Sequence, residues 1–561
     1  MIYIFNNEGV NKSIMLEKIK YNKRKIMFIC FMVLLIAQVV RIIHFGNVKM
    51  GFHEDEMFTY TLANYPDGFV KDTEGIFENW TSGEVYYSTL SVSDEERFNY
   101  GMVYENQEKD VHPPLYYYVI HTVSSMFPGC FSKWIGIFPN LVFSILISCV
   151  FYSINKKIFK NDVLALVCTG IWAFSTGAMN ATIYIRMYTM LTFFVVILIR
   201  LHLKCMEEIE NLGEISGITG ICLFLCTCLG ILTQYYYMVF CFFLCGIFCL
   251  YLLTKKNWKE LLKYSAVEIG AVLGALIYYP AMIKHIFSDY RGKQAFDSLS
   301  NVQGFIEDIK KLMEIISQQL FGGWLEIIFK ISIILVITIL VLRFFKQYLC
   351  FKIQFQANCS NMEKNRSTSK IVIALGVVAL GYLTIILKIA PYIIDRYFVC
   401  VYPIVTMVVM YTVNQLLLKL AGKYSIILVT ISFLILTLLS IDNQYLDYLY
   451  GHYAKRTESL DVYQGVPAIV LNGDYDSAAD KWLWEYGNYE MVYRCTSNGK
   501  YQGLQNAVNT GNLSNGFLLY AHGIHDSDEE VLKMVEEYID LASFEKVTDK
   551  GCRVFWCTLK K

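Results

Sequence analysis

The chain has 561 residues, of which 55% are hydrophobic and only 17% charged, and its mean hydropathy is +0.40. Soluble globular domains carry about 25% charged residues, so a disordered chain, a collagen-like repeat and an ordinary cytosolic enzyme are excluded. The 49 basic and 49 acidic residues cancel, which removes the electrostatic case for nucleic acid as a partner.

A bilayer core about 30 Å thick takes about 20 apolar residues per helix, and about eleven such runs are present. They lie near 26–45, 131–152, 162–180, 183–203, 216–232, 234–253, 261–283, 323–345, 371–389, 397–418 and 424–441. Residues 1–25 carry Lys12, Lys18, Lys20, Lys23, Arg24 and Lys25 ahead of the first run, and the positive-inside rule places them in the cytoplasm. With eleven spans the same side receives Lys156, Lys157 and Lys160, then Lys255, Lys256 and Lys259, then Lys364, Arg366 and Lys370, and finally Lys419 and Lys423. The first run follows a basic segment as a signal peptide does, but it has no small-residue cleavage site and is expected to stay as a helix. Two long segments then face outward: the first loop, 46–130, and the tail, 442–561.

The first loop opens on Gly51-Phe52-His53-Glu54-Asp55-Glu56-Met57-Phe58. Neighbouring helical residues diverge by about 100°, so at most one or two of Glu54, Asp55 and Glu56 aim at a common point, and Asp55 and Glu56 should have different tasks. Taken alone, such an acidic start also suits the positive end of a helix dipole. The loop closes on Asp110-Val111-His112-Pro113-Pro114-Leu115-Tyr116-Tyr117-Tyr118. Proline suits a first helical turn, so 113–127 reads as a short helix lying along the interface, with its tyrosines at headgroup depth.

Further on, Tyr184-Ile185-Arg186-Met187-Tyr188 stands at the outer end of the fourth span, Thr233-Gln234-Tyr235-Tyr236 at the end of the fifth, and Asp395-Arg396-Tyr397-Phe398 before the tenth. An arginine at the edge of a span is costly and is a functional candidate by default. Its planar fork suits a phosphate oxyanion, although interfacial snorkelling explains either arginine taken singly.

Many of the 17 cysteines lie inside spans, where a thiol acts as a small apolar group; Cys495, Cys552 and Cys557 in the tail leave one disulfide open. In that tail 467–472, 490–495 and 516–521 read as buried strands and 478–487 as a helix. Ser527 with Glu530 forms a capping box that opens a helix to about 540. Strands alternating with helices imply a small α/β domain. The expected fold class is therefore mainly α: a polytopic membrane protein of about eleven transmembrane helices, 26–441, followed by an extracytoplasmic α/β domain.

Together, Asp55-Glu56 after the first span, His112-Pro113-Pro114-Leu115-Tyr116-Tyr117, Arg186-Met187-Tyr188 and Arg396-Tyr397-Phe398 before Pro403 resemble the GT-C polytopic glycosyltransferases. The branch that they resemble most contains the protein O-mannosyltransferases and the aminoarabinose transferases of lipid A. The resemblance covers about 26–440 and leaves out the tail. It implies transfer of a sugar from a polyprenyl-phosphate donor at the outer face of the membrane, with the first-loop aspartate as general base. Two departures stand out. Gln234 occupies a place where relatives often have His, and Val111 a place where some aminoarabinose transferases have a carboxylate, with Asp110 one residue away. No metal is assigned to the site, and a divalent cation as cofactor stays open.

Direct displacement at an anomeric carbon needs a carboxylate to take the acceptor proton and fixed positive charge to stabilise the departing phosphate. A single base gives inversion. Asp55 is the expected base, with Glu56 positioning acceptor or sugar. Arg186 and Arg396, with Tyr397 as a hydroxyl donor, are expected to hold the lipid phosphate, and His112 to bind it or orient the loop. Tyr188, Gln234 and Asp110 complete the site as positioning residues. The partners implied are a polyprenyl-phosphate sugar, membrane lipids and a protein, glycan or lipid acceptor. A chain rich in Tyr, Ile, Lys and Asn with 9 Pro fits an AT-rich bacterial genome, hence a bacterial cell membrane. Two other classes stay open: a polytopic lipid or sugar transporter or flippase, though the internal repeats expected of one are not visible, and a membrane scaffold whose tail does the binding.

Overall fold

The computed structural model describes residues 2–66, 68, 75–300, 304–348, 359–439, 445–472, 480–496, 503–524 and 527–560. The last two residues of the expected 424–441 span and the first two of the expected 478–487 helix lie outside the described residues. The chain forms two compact units. The larger holds residues up to Ile43 together with Leu141–Thr182 and Tyr188–Leu446; the smaller holds His44–Asn140, Ile183–Met187 and Asp447–Lys561.

The larger unit is helical. Among the described residues seven helices are long and apolar enough to cross a membrane, or up to nine if each of two bent pairs is one span. Two shorter apolar helices, Gly217–Thr233 and Ser425–Leu438, cover the remaining expected runs. The fold is thus that of a mainly α, multi-pass membrane protein.

The bends have local causes. The pair Asp162–Ala173 and Thr176–Ile183 turns by 51° where the Ser175 hydroxyl donates to the Trp172 carbonyl and accepts from the Ala178 amide, replacing helical bonds. The pair Phe305–Phe321 and Leu325–Val341 turns by 92° at Gly322 and Gly323, whose φ values of 58° and 88° are left-handed and suit glycine. The Phe305–Phe321 helix was not among the expected spans. It is amphipathic rather than uniformly apolar, with Glu307, Asp308, Lys310, Lys311 and Glu314 interrupting any long apolar run.

The smaller unit is built on one six-stranded sheet of order β1-β3-β2-β4-β6-β5. Its strands are β1 (Trp80–Ser82), β2 (Ala468–Asn472), β3 (Met491–Cys495), β4 (Phe517–His522), β5 (Leu541–Thr548) and β6 (Arg553–Leu559). The central strands β3, β2 and β4 are parallel, and every residue of β2 and β4 is buried, as strands covered on both faces require. The three central strands match the expected ones.

Three features differ from expectation. The tail adds β5 and β6, whose alternation is broken by bulges. The helix expected at 478–487 shrinks to Leu483–Tyr486, and the capping-box helix ends at Glu536. The first loop also contributes β1, antiparallel to β3; it is pinned there by the Trp80 indole donating to the Ala507 carbonyl at 3.0 Å and by Glu78 accepting from the Thr496 amide at 2.7 Å. A three-residue strand gives almost no sequence signal, because its pairing partner lies some 400 residues away.

Beneath the sheet Ile469, Leu471, Phe517, Leu519, Val531 and Phe555 pack together, each worth about 1.5–3 kcal/mol on full burial. Cys495, Cys552 and Cys557 are buried free thiols. The same unit holds two buried ion pairs. Arg456 holds Glu485 through two bonds of 2.8 Å, and Arg494 holds Asp480 at 2.9 Å.

His522, at the end of β4, is buried beside these arginines. Burial, then the charges of Arg456, Arg494 and Lys481, push its imidazole well below the ordinary 6.5. The unfolded chain therefore binds a proton that the folded one refuses, and stability must fall as pH drops below about 6.5. Thermal unfolding of the protein between pH 7.5 and 5.5 should show this slope, and His522→Asn should flatten it; an equal slope in the variant would remove His522 from the account.

Candidate active site

Five of the nine expected site residues meet in the smaller unit: Asp55, Glu56, Asp110, His112 and Arg186. The helix Glu54–Asn64 starts on His53, whose Nδ1 accepts from the Asp55 amide while Glu56 returns a bond to the His53 amide at 2.6 Å. This reciprocal cap fixes the first turn and sends the two carboxylates in different directions, as their spacing requires.

Glu56 turns inward and is fully buried. It lies 3.0 Å from the Lys49 ammonium, itself fully buried, and accepts from the Ile185 amide at 2.8 Å. Lys49 also donates to the Tyr448 carbonyl. Burial pushes the Glu56 carboxyl up and the Lys49 ammonium down, each opposed by the other's charge. Glu56 therefore joins the loop, the 183–187 turn and the tail. It is not presented to an incoming acceptor.

Asp55 turns outward with 30% of its side chain exposed. Its Oδ2 accepts from the Tyr184 hydroxyl at 2.8 Å, and Tyr184 is itself fixed by stacking on Tyr448 at 4.1 Å. The Tyr184 carbonyl accepts from Asn140 at 2.9 Å, which in turn accepts from the Tyr116 hydroxyl. The carboxylate thus accepts from the neutral Tyr184 hydroxyl, lies 3.5 Å from His53 Nδ1 and is partly exposed.

Behind it sits Arg186, 3% exposed. Its Nη1 donates to the Asp55 carbonyl at 3.2 Å, the Thr59 hydroxyl at 3.1 Å and the Tyr117 hydroxyl at 3.0 Å. Its Nη2 lies 3.2 Å from His112 Nε2, and His112 Nδ1 lies 2.8 Å from Asp110 Oδ2. A guanidinium only donates, so Nε2 must accept and the imidazole proton must sit on Nδ1, pointing at Asp110. Burial alone would raise the Asp110 carboxyl, but His112 beside it and Arg186 beyond hold it below the ordinary 3.8. The result is a relay Asp110–His112–Arg186 that closes the two ends of the first loop on the 183–187 turn. Arg186 is therefore a buried cation committed to protein acceptors, and His112 is the connector that orients the loop.

The other four residues lie in the larger unit. Tyr397 is buried, with its ring 6.1 Å from Tyr188 and 5.6 Å from Tyr236. Arg396 lies over the Tyr397 ring at 5.4 Å. Gln234 is buried and its side chain accepts from the Tyr235 amide at 2.7 Å. Sequence reasoning did not single out Lys49, His53, Tyr117 or Tyr184. A lone lysine at the exit of an apolar run was the available signal for Lys49.

The protein is thus a multi-pass membrane protein that carries, outside its spans, an ordered carboxylate beside a buried cation. No family model and no curated protein matches the chain. Among solved structures it is similar to ArnT from Cupriavidus metallidurans bound to undecaprenyl phosphate, at 9% identity and a TM-score of 0.49 over 94% of this chain and 98% of that one. It is also similar to the archaeal oligosaccharyltransferase AglB from Archaeoglobus fulgidus in complex with an inhibitory peptide and a dolichol-phosphate, at 9% identity and a TM-score of 0.41 over 95% and 74%. Both neighbours are GT-C fold glycosyltransferases.

Proposed function

We propose that the chain is a membrane glycosyltransferase that moves a sugar from a polyprenyl-phosphate donor to an acceptor at the outer face of a bacterial cell membrane. The observation that carries this reading is Asp55. Its carboxylate is oriented by Tyr184, partly exposed, and backed by the buried Arg186 cation. In the reaction the acceptor hydroxyl gives its proton to Asp55 as its oxygen bonds to the anomeric carbon, and the bond from that carbon to the phosphate oxygen breaks with inversion. The lipid phosphate leaves with the electron pair. Arg186 contributes its field and the position of the first helical turn. In this reading 1–25 is cytoplasmic, 26–441 with its loop 46–130 is the catalytic membrane domain, and 442–561 is the extracytoplasmic α/β domain.

The test is release of labelled sugar from a polyprenyl-phosphate sugar in membranes containing the full chain. Transfer to an acceptor supports the reading. Uptake of the labelled lipid without bond cleavage would favour a flippase, and neither activity would favour a scaffold.

Orientation has its own test. On a Cys130→Ser background, which removes an exposed thiol of the first loop, cysteines placed at the exposed positions Glu84 and Asn515 should react with an impermeant maleimide in intact cells. A cysteine at the exposed Lys256 should stay silent until the cells are opened. Labelling at Lys256 alone would invert the topology.

A further inference from the structure

Three helices of the larger unit each turn one metal-ligating side chain to a common point: His202 on Tyr188–Leu212, Cys245 on Tyr236–Thr254 and Glu268 on Trp258–Tyr278. One ligand atom of each lies within 4.8 Å of the other two. All three helices are among those long and apolar enough to cross a membrane, where ionisable side chains are expensive and seldom idle. None of the three takes part in the chemistry proposed above.

The cluster has the second shell that a metal site needs. His202 Nδ1 lies 2.8 Å from the Leu198 carbonyl, one turn back on its own helix, so the ring proton sits there and Nε2 keeps its lone pair, fixing the tautomer as metal-bound histidines require. Glu268 Oε2 accepts from the Thr227 hydroxyl at 2.8 Å. Its other oxygen, Oε1, is buried and accepts no hydrogen bond from any described residue, which is costly for a carboxyl in a span. That Nε2 lone pair accepts from the Tyr264 hydroxyl at 2.7 Å, a bond that an ion at Nε2 would replace, leaving Tyr264 at hand as a further oxygen.

We infer that His202, Cys245 and Glu268 bind a borderline-soft divalent cation of the zinc type inside the membrane domain. A nitrogen, a thiolate sulfur and a carboxylate oxygen suit zinc, whereas magnesium and calcium prefer oxygen alone. Charge arithmetic supports the same class. A divalent cation held by one thiolate, one carboxylate and a neutral imidazole makes a neutral complex, which avoids burying net charge. A cavity of about 560 Å³ reaches the cluster along His202, with Met206, Glu210, Leu244 and Lys370 among its walls, and offers a route of entry. Tying three helices through one ion gives the site a structural role in the bundle.

The test uses the purified full chain in detergent, stripped with chelator and titrated with Zn²⁺ or with Co²⁺ as its spectroscopic stand-in. One ion per chain is expected, with a thiolate-to-cobalt charge-transfer band and the visible bands of a four-coordinate site. Cys245→Ser and His202→Gln should abolish the bands. Thr227→Val, which leaves all three ligands in place, should weaken binding by about 10–100-fold. Cys241→Ser should leave the bands intact, although Cys241 Sγ is only 3.5 Å from Cys245 Sγ. Alkylation of the unmutated protein, read by mass spectrometry, needs no variant: zinc should protect Cys245 from the reagent. Absence of a thiolate band, or unchanged stoichiometry and bands in Cys245→Ser, or no protection of Cys245, would overturn the assignment.

Discussion

Asp55→Asn is expected to lower sugar transfer by roughly 10²–10⁴, the range for loss of a positioned general base, while donor binding survives. The amide keeps the shape of the carboxylate and can still accept from the Tyr184 hydroxyl, which bonds Oδ2 at 2.8 Å, so the helix start stays in place. It has no basicity to offer the acceptor proton. Tyr184→Phe is the companion variant: it removes the donor that orients Asp55 and leaves the base, and so should cost less. Single-turnover transfer in membranes normalised for folded protein measures both. Wild-type turnover in Asp55→Asn would sink the general-base assignment, and near-wild-type turnover in Asp55→Asn with Glu56→Gln would sink the transferase reading of this loop.

The second large effect is on folding. Lys49 and Glu56 are both fully buried and 3.0 Å apart, and breaking such a pair from one side costs about 3–5 kcal/mol because the remaining charge has no water. Lys49→Met alone should lower the thermal midpoint sharply. Glu56→Gln should do nearly as much, since the neutral amide leaves the buried ammonium without its carboxylate, facing the Tyr448 carbonyl and the Phe52 and Tyr450 rings. Lys49→Met with Glu56→Gln should recover much of the loss, because no unpaired charge is left. Melting of the detergent-solubilised protein, followed by fluorescence of its tryptophans, distinguishes these cases. If Lys49→Met melts with the unaltered chain, the pair is not holding the fold. Turnover per folded molecule in Glu56→Gln should stay near wild type, in contrast to the direct role in positioning that the sequence suggested for it.

Much of the helical part could be read directly, because a membrane span must satisfy its backbone within about 20 residues and advertises itself as an apolar run of that length. The strands of the tail were legible for the analogous reason that a strand buried on both faces is a short unbroken apolar run. The divergence of Asp55 from Glu56 also follows from helix geometry alone, since adjacent side chains point about 100° apart. Sequence periodicity says nothing, however, about which partner a polar group finds across hundreds of residues. That Glu56 faces Lys49 and not a substrate, that Arg186 spends its donors on Asp55, Thr59, Tyr117 and His112, and that Trp80–Ser82 pairs with Met491–Cys495 were decided by tertiary packing. Each buried polar group must be matched by whatever lies next to it in space, and only the folded chain determines what that is.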